Sequence, residues 1–587
     1  MTAPDFVALH YLAEDAAWHP NRYYRYDLMT QLLEGWVGEY PELIELSSIG
    51  TSVEGRSIWV AIVTNKATGS DRDKPAYYVD GNIHAGEVMG SSVALGTIYH
   101  LLTRYGTVAE ISRLLDETVL YVVPRIAVDG SERYLTTTDD LRSTTAPYAP
   151  NAGGGLKRVD LDGDGLISTM RFKDPAGPWK RSTIDPRVMV PRDPHEFGSD
   201  YYFVLPEGTI DPWDGGKIAI APTEWALDFN RNFPNAWRPE WQQRGAGPYP
   251  LSQPEPRAIA DFVLDHPNIV GSQHYHTVAG IILRGSGLYG DDQMPPLDLR
   301  AYKALGELGE RTTGYRCISI YHDNPFKKDS ASYGMFFDFM FDQAGVFMFA
   351  TELWRMAQEL ESPDVSIADS LFNRPESTDV EFLKLFEERA RGRGFTEWTP
   401  FEHPHFGAVE IGGWEDKFGV MNPPGPLLSE HIDRNVPFTI AAMGASPRLR
   451  VVDSGATALG NDLYEVWVIV SNDGFLPSYG SETYKATGNA KEVTATLSLP
   501  ETASLVPPAA SIEQSLGHLA GRVSQFTSFL PISEYPVLGR ARAAWVVQTT
   551  EPIEVSIAAG SNRAGQIKTV VRVGSEGAMT VRPFPVR

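Results

Sequence analysis

The sequence predicts an α/β layered fold followed by an antiparallel β-sandwich, and three observations carry that expectation. Short apolar runs of strand length alternate with helix-periodic segments through the first part of the chain. One run, VLYVVPRIAV, is apolar almost throughout, which is the pattern of a strand covered on both faces. From about Asn435 the pattern changes to short segments of alternating polarity, LYEVWVIVSN, KEVTATLSL, IEVSIAAG and IKTVVRVG, as expected of a sandwich.

The elements follow in order. Leu28, Leu32, Leu33 and Trp36 recur at three to four residues, so an amphipathic helix is expected over about Asn21 to Gly35. ELIELSSIG and SIWVAIVTN read as strands joined by the Gly-containing turn TSVEGR. AYYVDGN is a third strand, leading through IHAGE into the helix VMGSSVALGTIYHLL. Ser252 and Glu255 have the spacing of a capping box ahead of Ile259, Phe262 and Val263, which places a helix before the strand around NIVGSQHYH. Residues 143–222, with NAGGG, DLDGDG and FKDPAGPWK, break the rhythm and read as an insertion of little periodicity. VEFLKLFEERARG is helical, and the Pro-rich NPPGPL lies near the domain boundary. Two domains are therefore expected, one over 1–430 and a sandwich over 435–587 that serves stability or docking.

Composition restricts the chemistry. The chain has 587 residues, with 51 Lys and Arg against 75 Asp and Glu, a net charge of −24 that argues against nucleic acid or an anionic membrane as partner. Cys317 is the one cysteine, so neither an intrachain disulfide nor a thiolate cluster is available, and any metal must use His and carboxylate. The first twenty residues lack a basic start followed by an apolar run, and no eighteen consecutive apolar residues occur, so a cytoplasmic protein is expected. Oligomeric state is not readable from the sequence.

His84 and Glu87 form H-x-x-E directly after a strand, the edge where α/β sheets place their sites, and an imidazole and a carboxylate at that spacing can share one Zn²⁺. Alone the motif is weak. It is joined by SIGTSVEGRSIWV, LDFNRNFPNAW, GPYPLSQPE, HYHTVAGIIL and GVFMFATELWR, in that order along the chain. Together these segments resemble the zinc carboxypeptidase family of metallopeptidases over roughly residues 20–410.

The resemblance implies a mixed, twisted sheet flanked by helices, with His84, Glu87 and His276 holding zinc and a fourth position open for water. His274, two residues away on the same strand face, is the rival ligand. The resemblance makes Glu352 the catalytic glutamate, and the alternative is half of a buried ion pair with Arg355. Arg142, twelve residues after Gly130, matches the arginine that stabilises the oxyanion, although Ala127-Val128 replaces the family's Asn-Pro and Arg171 and Arg181 compete for the role. Asn230 and Arg231 match the pair that grips the substrate's terminal carboxylate. Tyr333 is the nearest candidate for the phenol that closes over substrate, Val278 stands where relatives often carry an aromatic, and Met335, Phe336 and Phe337 line a specificity pocket or a core helix.

The implied activity is hydrolysis of the C-terminal peptide bond of a peptide with a free carboxylate. A zinc amidase acting on a cell-wall peptide or an isopeptide is the alternative within the same chemistry, and a non-catalytic binding protein using the β-sandwich is the alternative of another class. Separately, Asp160, Asp162 and Asp164 followed by Gly165 match the first half of a calcium loop. Position twelve is Arg171 rather than an acid, so Ca²⁺ there needs a ligand from elsewhere. GSGLYG at 285–290 fits G-x-G-x-x-G but is followed by DDQMPP instead of a helix, which rules out a dinucleotide site.

Overall fold

The computed structural model describes residues 10–148, 154–213, 215–323, 330–360, 374–507, 511–525 and 539–574. An eight-stranded mixed sheet forms the centre of the first domain. Its order is Ile44–Thr51, Ser57–Val63, Val119–Val123, Ala76–Gly81, Ile269–Thr277, Phe347–Leu353, Ile281–Arg284 and Arg316–Ser319. The middle is parallel: Ala76–Gly81 pairs in parallel with Val119–Val123 and with Ile269–Thr277, which pairs in parallel with Phe347–Leu353. All residues of Ala76–Gly81, Val119–Val123 and Ile269–Thr277 are buried, which is why Val119–Val123 is apolar on both alternating faces, while Ile269–Thr277 turns polar toward its C-terminal end, where the histidines lie.

Alternation sorts those side chains into two cores. Tyr77, Val79, Leu120 and Val122 enter one with Leu33, Val93, Tyr302 and Leu428 from the covering helices. Tyr78, Val119, Tyr121 and Val123 enter the other with Ile259, Phe262, Phe336 and Phe339. The flanking helices include Tyr26–Glu39, Met89–Arg104, Pro254–Asp265 and Pro296–Thr313. The first begins at Tyr26 rather than near Asn21, and its buried residues are Met29, Leu32, Leu33 and Trp36. The expected capping box does not form: the N-cap of Pro254–Asp265 is Gln253 with no side-chain bond, Pro254 sits in the first turn, and the Ser252 hydroxyl instead accepts from Asn232.

The insertion is more regular than its sequence suggests. Thr169–Lys173, Trp179–Arg181, Met189–Pro191 and Tyr202–Pro206 join Phe395–His403 and Gly407–Trp414 in a six-stranded antiparallel sheet around Met170, Val409 and Ile411. Half of each pattern lies more than 200 residues from the other, so neither segment alone shows the sheet.

The helix Gly425–Met443 runs across the expected boundary at 430–435 and buries Leu427, Leu428, Ile432, Val436 and Phe438 in the first domain's core. The C-terminal β-sandwich begins at Leu449 and has two four-stranded antiparallel sheets closing on Val466, Val468, Leu497, Trp545 and Ile557. Arg563 fastens it to the first domain. Its buried guanidinium donates to the carbonyls of Pro267, Ala344 and Gly345 and stacks 3.3 Å from the Tyr484 ring centre, next to the turn that feeds Phe347–Leu353. Among the described residues no helix is long and apolar enough to cross a membrane.

Candidate active site

The site forms where the central parallel strands end. Gly81 closes its strand against Gly90, where an added Cβ would lie 2.5 Å from the Gly90 carbonyl carbon, so the following loop is drawn tightly onto the helix Met89–Arg104. Asn82 then takes a left-handed φ of 58° and donates through Nδ2 to the carbonyls of His84 and Ala85. This fixes H-x-x-E at the sheet edge. On the neighbouring strand His276 lies opposite Glu352 of Phe347–Leu353, so register alone sets those two side by side.

His84, Glu87 and His276 are all buried, and their ligand atoms lie within 4.8 Å of one another. Nδ1 of His84 is 2.8 Å from Glu87 Oε1, Nδ1 of His276 is 2.8 Å from Glu87 Oε2, and the two imidazole nitrogens are 3.2 Å apart. Tetrahedral zinc with Zn–N of about 2.0–2.1 Å requires neighbouring donors roughly 3.3 Å apart, so this donor set fits the ion in both chemistry and spacing. Burial and the His274 ring lower His276 to about 3, which leaves its imidazole neutral, the form that ligates metal. Burial alone would raise Glu87, but His84 and His276 outweigh it and hold the carboxylate well down.

Asp228 ties this group to Arg142. Its Oδ1 is 3.2 Å from His84 Nε2 and its Oδ2 accepts from Arg142 Nε at 2.9 Å. Burial would raise Asp228, yet Arg142, His84 and Arg231 keep it well below the usual carboxylate range. Arg142 is placed by backbone as well: its carbonyl accepts from Ala85 and its N–H donates to Trp225. The Ser143 carbonyl packs where a Cβ at Gly130 would be, 2.1 Å away, which explains why the helix Val128–Thr136 carries glycine there. The Arg142 guanidinium lies 3.9 Å from Glu87 and its side chain is 42% exposed, so it borders both the ligands and open space. Arg171 and Arg181 are elsewhere, both bound to Glu410 in the insertion sheet.

Glu352 is partly buried beside these charges. Burial, with the Glu87 carboxylate next to it, pushes the Glu352 carboxyl up against the opposing pull of His84 and Arg142. Asn230 and Arg231 stand on a short 3₁₀ turn that Asp228 caps through the Asn230 N–H. Asn230 Oδ1 accepts from the Phe336 N–H, and Arg231 donates to the Asn230 carbonyl. Gly334, at φ 67°, lies against the Arg231 carbonyl, where a Cβ would come within 2.3 Å. Tyr333 precedes it, with the Arg238 guanidinium 4.8 Å from its ring centre. Residues 327–329 of that segment lie outside the described residues. Met335, Phe336 and Phe337 are buried among core aromatics.

His274 is not in the ligand group. Its Nδ1 bonds Asp80, the strand partner opposite it, and its ring meets His276 edge-on at 4.4 Å. A second group of acids gathers in the insertion, where Asp160 and Asp162 meet Glu207 with ligand atoms within 4.8 Å. Asp164 is outside it and caps Leu166, while Arg171 holds Glu410. Asp228 and Glu207 are two site residues that the sequence pattern does not single out. Asp228 stands two positions before Asn230 within LDFNRNFPNAW, whereas Glu207, about forty residues after the acidic loop, carries no local signal.

A family model described as zinc carboxypeptidase matches residues 29–179 and 200–377, and a domain of unknown function matches 448–572. Carboxypeptidase D of Anas platyrhynchos is 31% identical over 121 residues, 21% of this chain and 9% of that protein. A protein of Ajellomyces dermatitidis named inactive metallocarboxypeptidase ECM14 is 32% identical over 130 residues, 21% of this chain and 20% of its own. The chain thus spans a small part of the curated relatives' length. Among solved structures, carboxypeptidase A from Helicoverpa armigera aligns at 17% identity with a TM-score of 0.38, covering 64% of this chain and 77% of that one. With the family model matching more than half of its length, the chain belongs to the zinc carboxypeptidase family.

Proposed function

We propose that the protein is a zinc-dependent metallocarboxypeptidase that hydrolyses the C-terminal peptide bond of peptides. The observation that carries this reading is the convergence of buried His84, Glu87 and His276 with Glu352 in strand register beside them. His84, Glu87 and His276 would hold Zn²⁺, which when bound would supply Lewis acidity toward the scissile carbonyl and the attacking water. Arg231, with Asn230, holds the terminal carboxylate and so fixes which amide is cut. The Glu352 carboxylate takes the proton from the attacking water and delivers it to the departing amine. The Arg142 guanidinium, its Nε anchored by Asp228, offers its remaining N–H groups to the carbonyl oxygen as negative charge develops there. Asp228 also orients the His84 ring through Nε2.

The test pairs elemental analysis with release of free amino acids from a mixed peptide library, for wild type and Glu352→Gln. One zinc per chain with Glu352-dependent C-terminal release supports the reading. Stoichiometric zinc without release favours an amidase acting on a cell-wall peptide or isopeptide. Failure to bind zinc favours a non-catalytic binding protein, a reading kept open because one relative is named inactive.

Two smaller readings accompany this one. Ca²⁺ in the insertion would be held by Asp160, Asp162 and Glu207, oxygen donors that suit a hard cation. A melting temperature unmoved by added Ca²⁺ in the zinc-loaded protein removes it. Cytoplasmic residence is the other, and is checked by fractionating the source cells.

A further inference from the structure

Beside the metal ligands lies a pocket of ≈ 280 Å³ that neither Asn230 nor Arg231 lines. It reaches His84, Glu87 and Arg142 from the side of Gly86 and Tyr134. The terminal carboxylate, under the proposed function, is held outside it, by Asn230 and Arg231, which pack against Phe336 and Gly334. A pocket that touches the ligands but not the carboxylate pair therefore belongs to the acyl half of the substrate.

Its apolar lining comes from Tyr134 and Leu141 of the first domain, Leu166 and Ile167 of the insertion, and Met421 of the segment before the helix Gly425–Met443, beside the charged Asp140, Arg158, Glu415, Asp416 and Lys417. These charges are already engaged, Glu415 with Arg393 at 3.3 Å. Arg158 contacts Asp140 at 3.3 Å and Asp416 at 3.5 Å, and the Lys417 ammonium donates to the carbonyls of Tyr134 and Thr137, each at 2.7 Å. Recognition is left to the apolar surface, and the volume suits one large side chain. Met421 lies beyond residue 377, where the family match ends.

We propose that this pocket receives the apolar side chain, aliphatic or aromatic, of the residue on the amino side of the scissile bond, and that Ile167 and Met421 set the preference. The inference rests on the carboxypeptidase reading. The experiment uses the full zinc-loaded chain and N-blocked dipeptides ending in whichever residue the wild type releases fastest, with Gly, Ala, Val, Leu or Phe before it. Wild type is expected to prefer Leu or Phe over Gly in kcat/KM by on the order of tenfold or more. Ile167→Trp and Met421→Trp, which fill the pocket from two separate segments of the chain, are each expected to lower that ratio by on the order of tenfold, with zinc content and melting temperature measured alongside. Using a ratio within each variant cancels any general loss of activity.

A flat wild-type series overturns the pocket assignment without any variant. So does an unchanged ratio in both variants, provided that they fold and hold zinc. If the wild type releases nothing from any member of the series, nor from the peptide library, the carboxypeptidase reading fails and the inference falls with it, an outcome distinct from release without preference.

Discussion

His84, Glu87 and His276 come from two neighbouring strand ends and are all buried, whereas Asp160, Asp162 and Glu207 belong to the insertion and only Glu207 is shielded from solvent. The first group mixes two imidazoles with one carboxylate and is braced by Asp228 and Arg142. The second contains only oxygen donors, and its carboxylates are occupied in part by backbone N–H groups of the same loop, as at Gly163 and Gly165. Donor type separates borderline from hard cations, and burial separates a site that can strengthen electrostatics at a reacting bond from one that can only brace a loop. Donor type and position in the fold together give them different chemistry.

The sharpest break of this comparison is at the buried group. His276→Ala is expected to abolish both zinc content and peptide release, while Glu352→Gln keeps zinc and loses about 10²–10⁴ in rate, read by elemental analysis and single-substrate kinetics. Retained activity in either variant would remove the catalytic side of the contrast. Next comes Arg231→Ala, expected to cost about 2–5 kcal/mol in kcat/KM for substrates with a free terminal carboxylate and far less for their C-terminal amides. Asp228→Asn keeps the shape but weakens the anchor of His84, so zinc affinity should fall about 10–100-fold in a chelator competition.

The smallest effect belongs to the insertion. Burial, with Asp162 and Asp160 nearby, raises Glu207 to about 7 from 4.5. A carboxyl raised on folding contributes stability at pH below its unfolded value and loses that contribution as pH rises through the folded value. Without added Ca²⁺, wild type should therefore lose stability relative to Glu207→Gln between about pH 4.5 and 7. Added Ca²⁺ at pH 8 should restore it, a shift of about 2–4 °C in melting temperature that Glu207→Gln lacks. Identical pH profiles for the two proteins, with and without Ca²⁺, would reduce the group to a solvated acidic turn.

Much of this was legible along the chain. A strand that is apolar throughout, such as Val119–Val123, declares itself because both faces are covered. H-x-x-E was visible because both residues sit in one loop, and its significance came from other segments in the family's order. The insertion sheet was not legible, since Gly407–Trp414 pairs with Thr169–Lys173 across some 240 residues and short strands carry little periodicity. The helix Gly425–Met443 escaped the boundary estimate because it contains Pro437 and is bounded by Pro-rich sequence, although its apolar side is committed to the first domain's core.

Along the chain it was already settled that any metal site must use imidazole and carboxylate, that an α/β domain precedes a β-sandwich, and that the segments of the zinc carboxypeptidase family are present in order. Those features are local or compositional, written in residue type and short-range period. Only the tertiary structure decided that His276 rather than His274 meets His84 and Glu87, that Asp228 joins them to Arg142, that Glu207 completes the acid group, and that Ile167 and Met421 wall one pocket. Each of these depends on strand register or on the docking of distant segments, and contact energy between residues far apart in sequence leaves no mark on the residues between them.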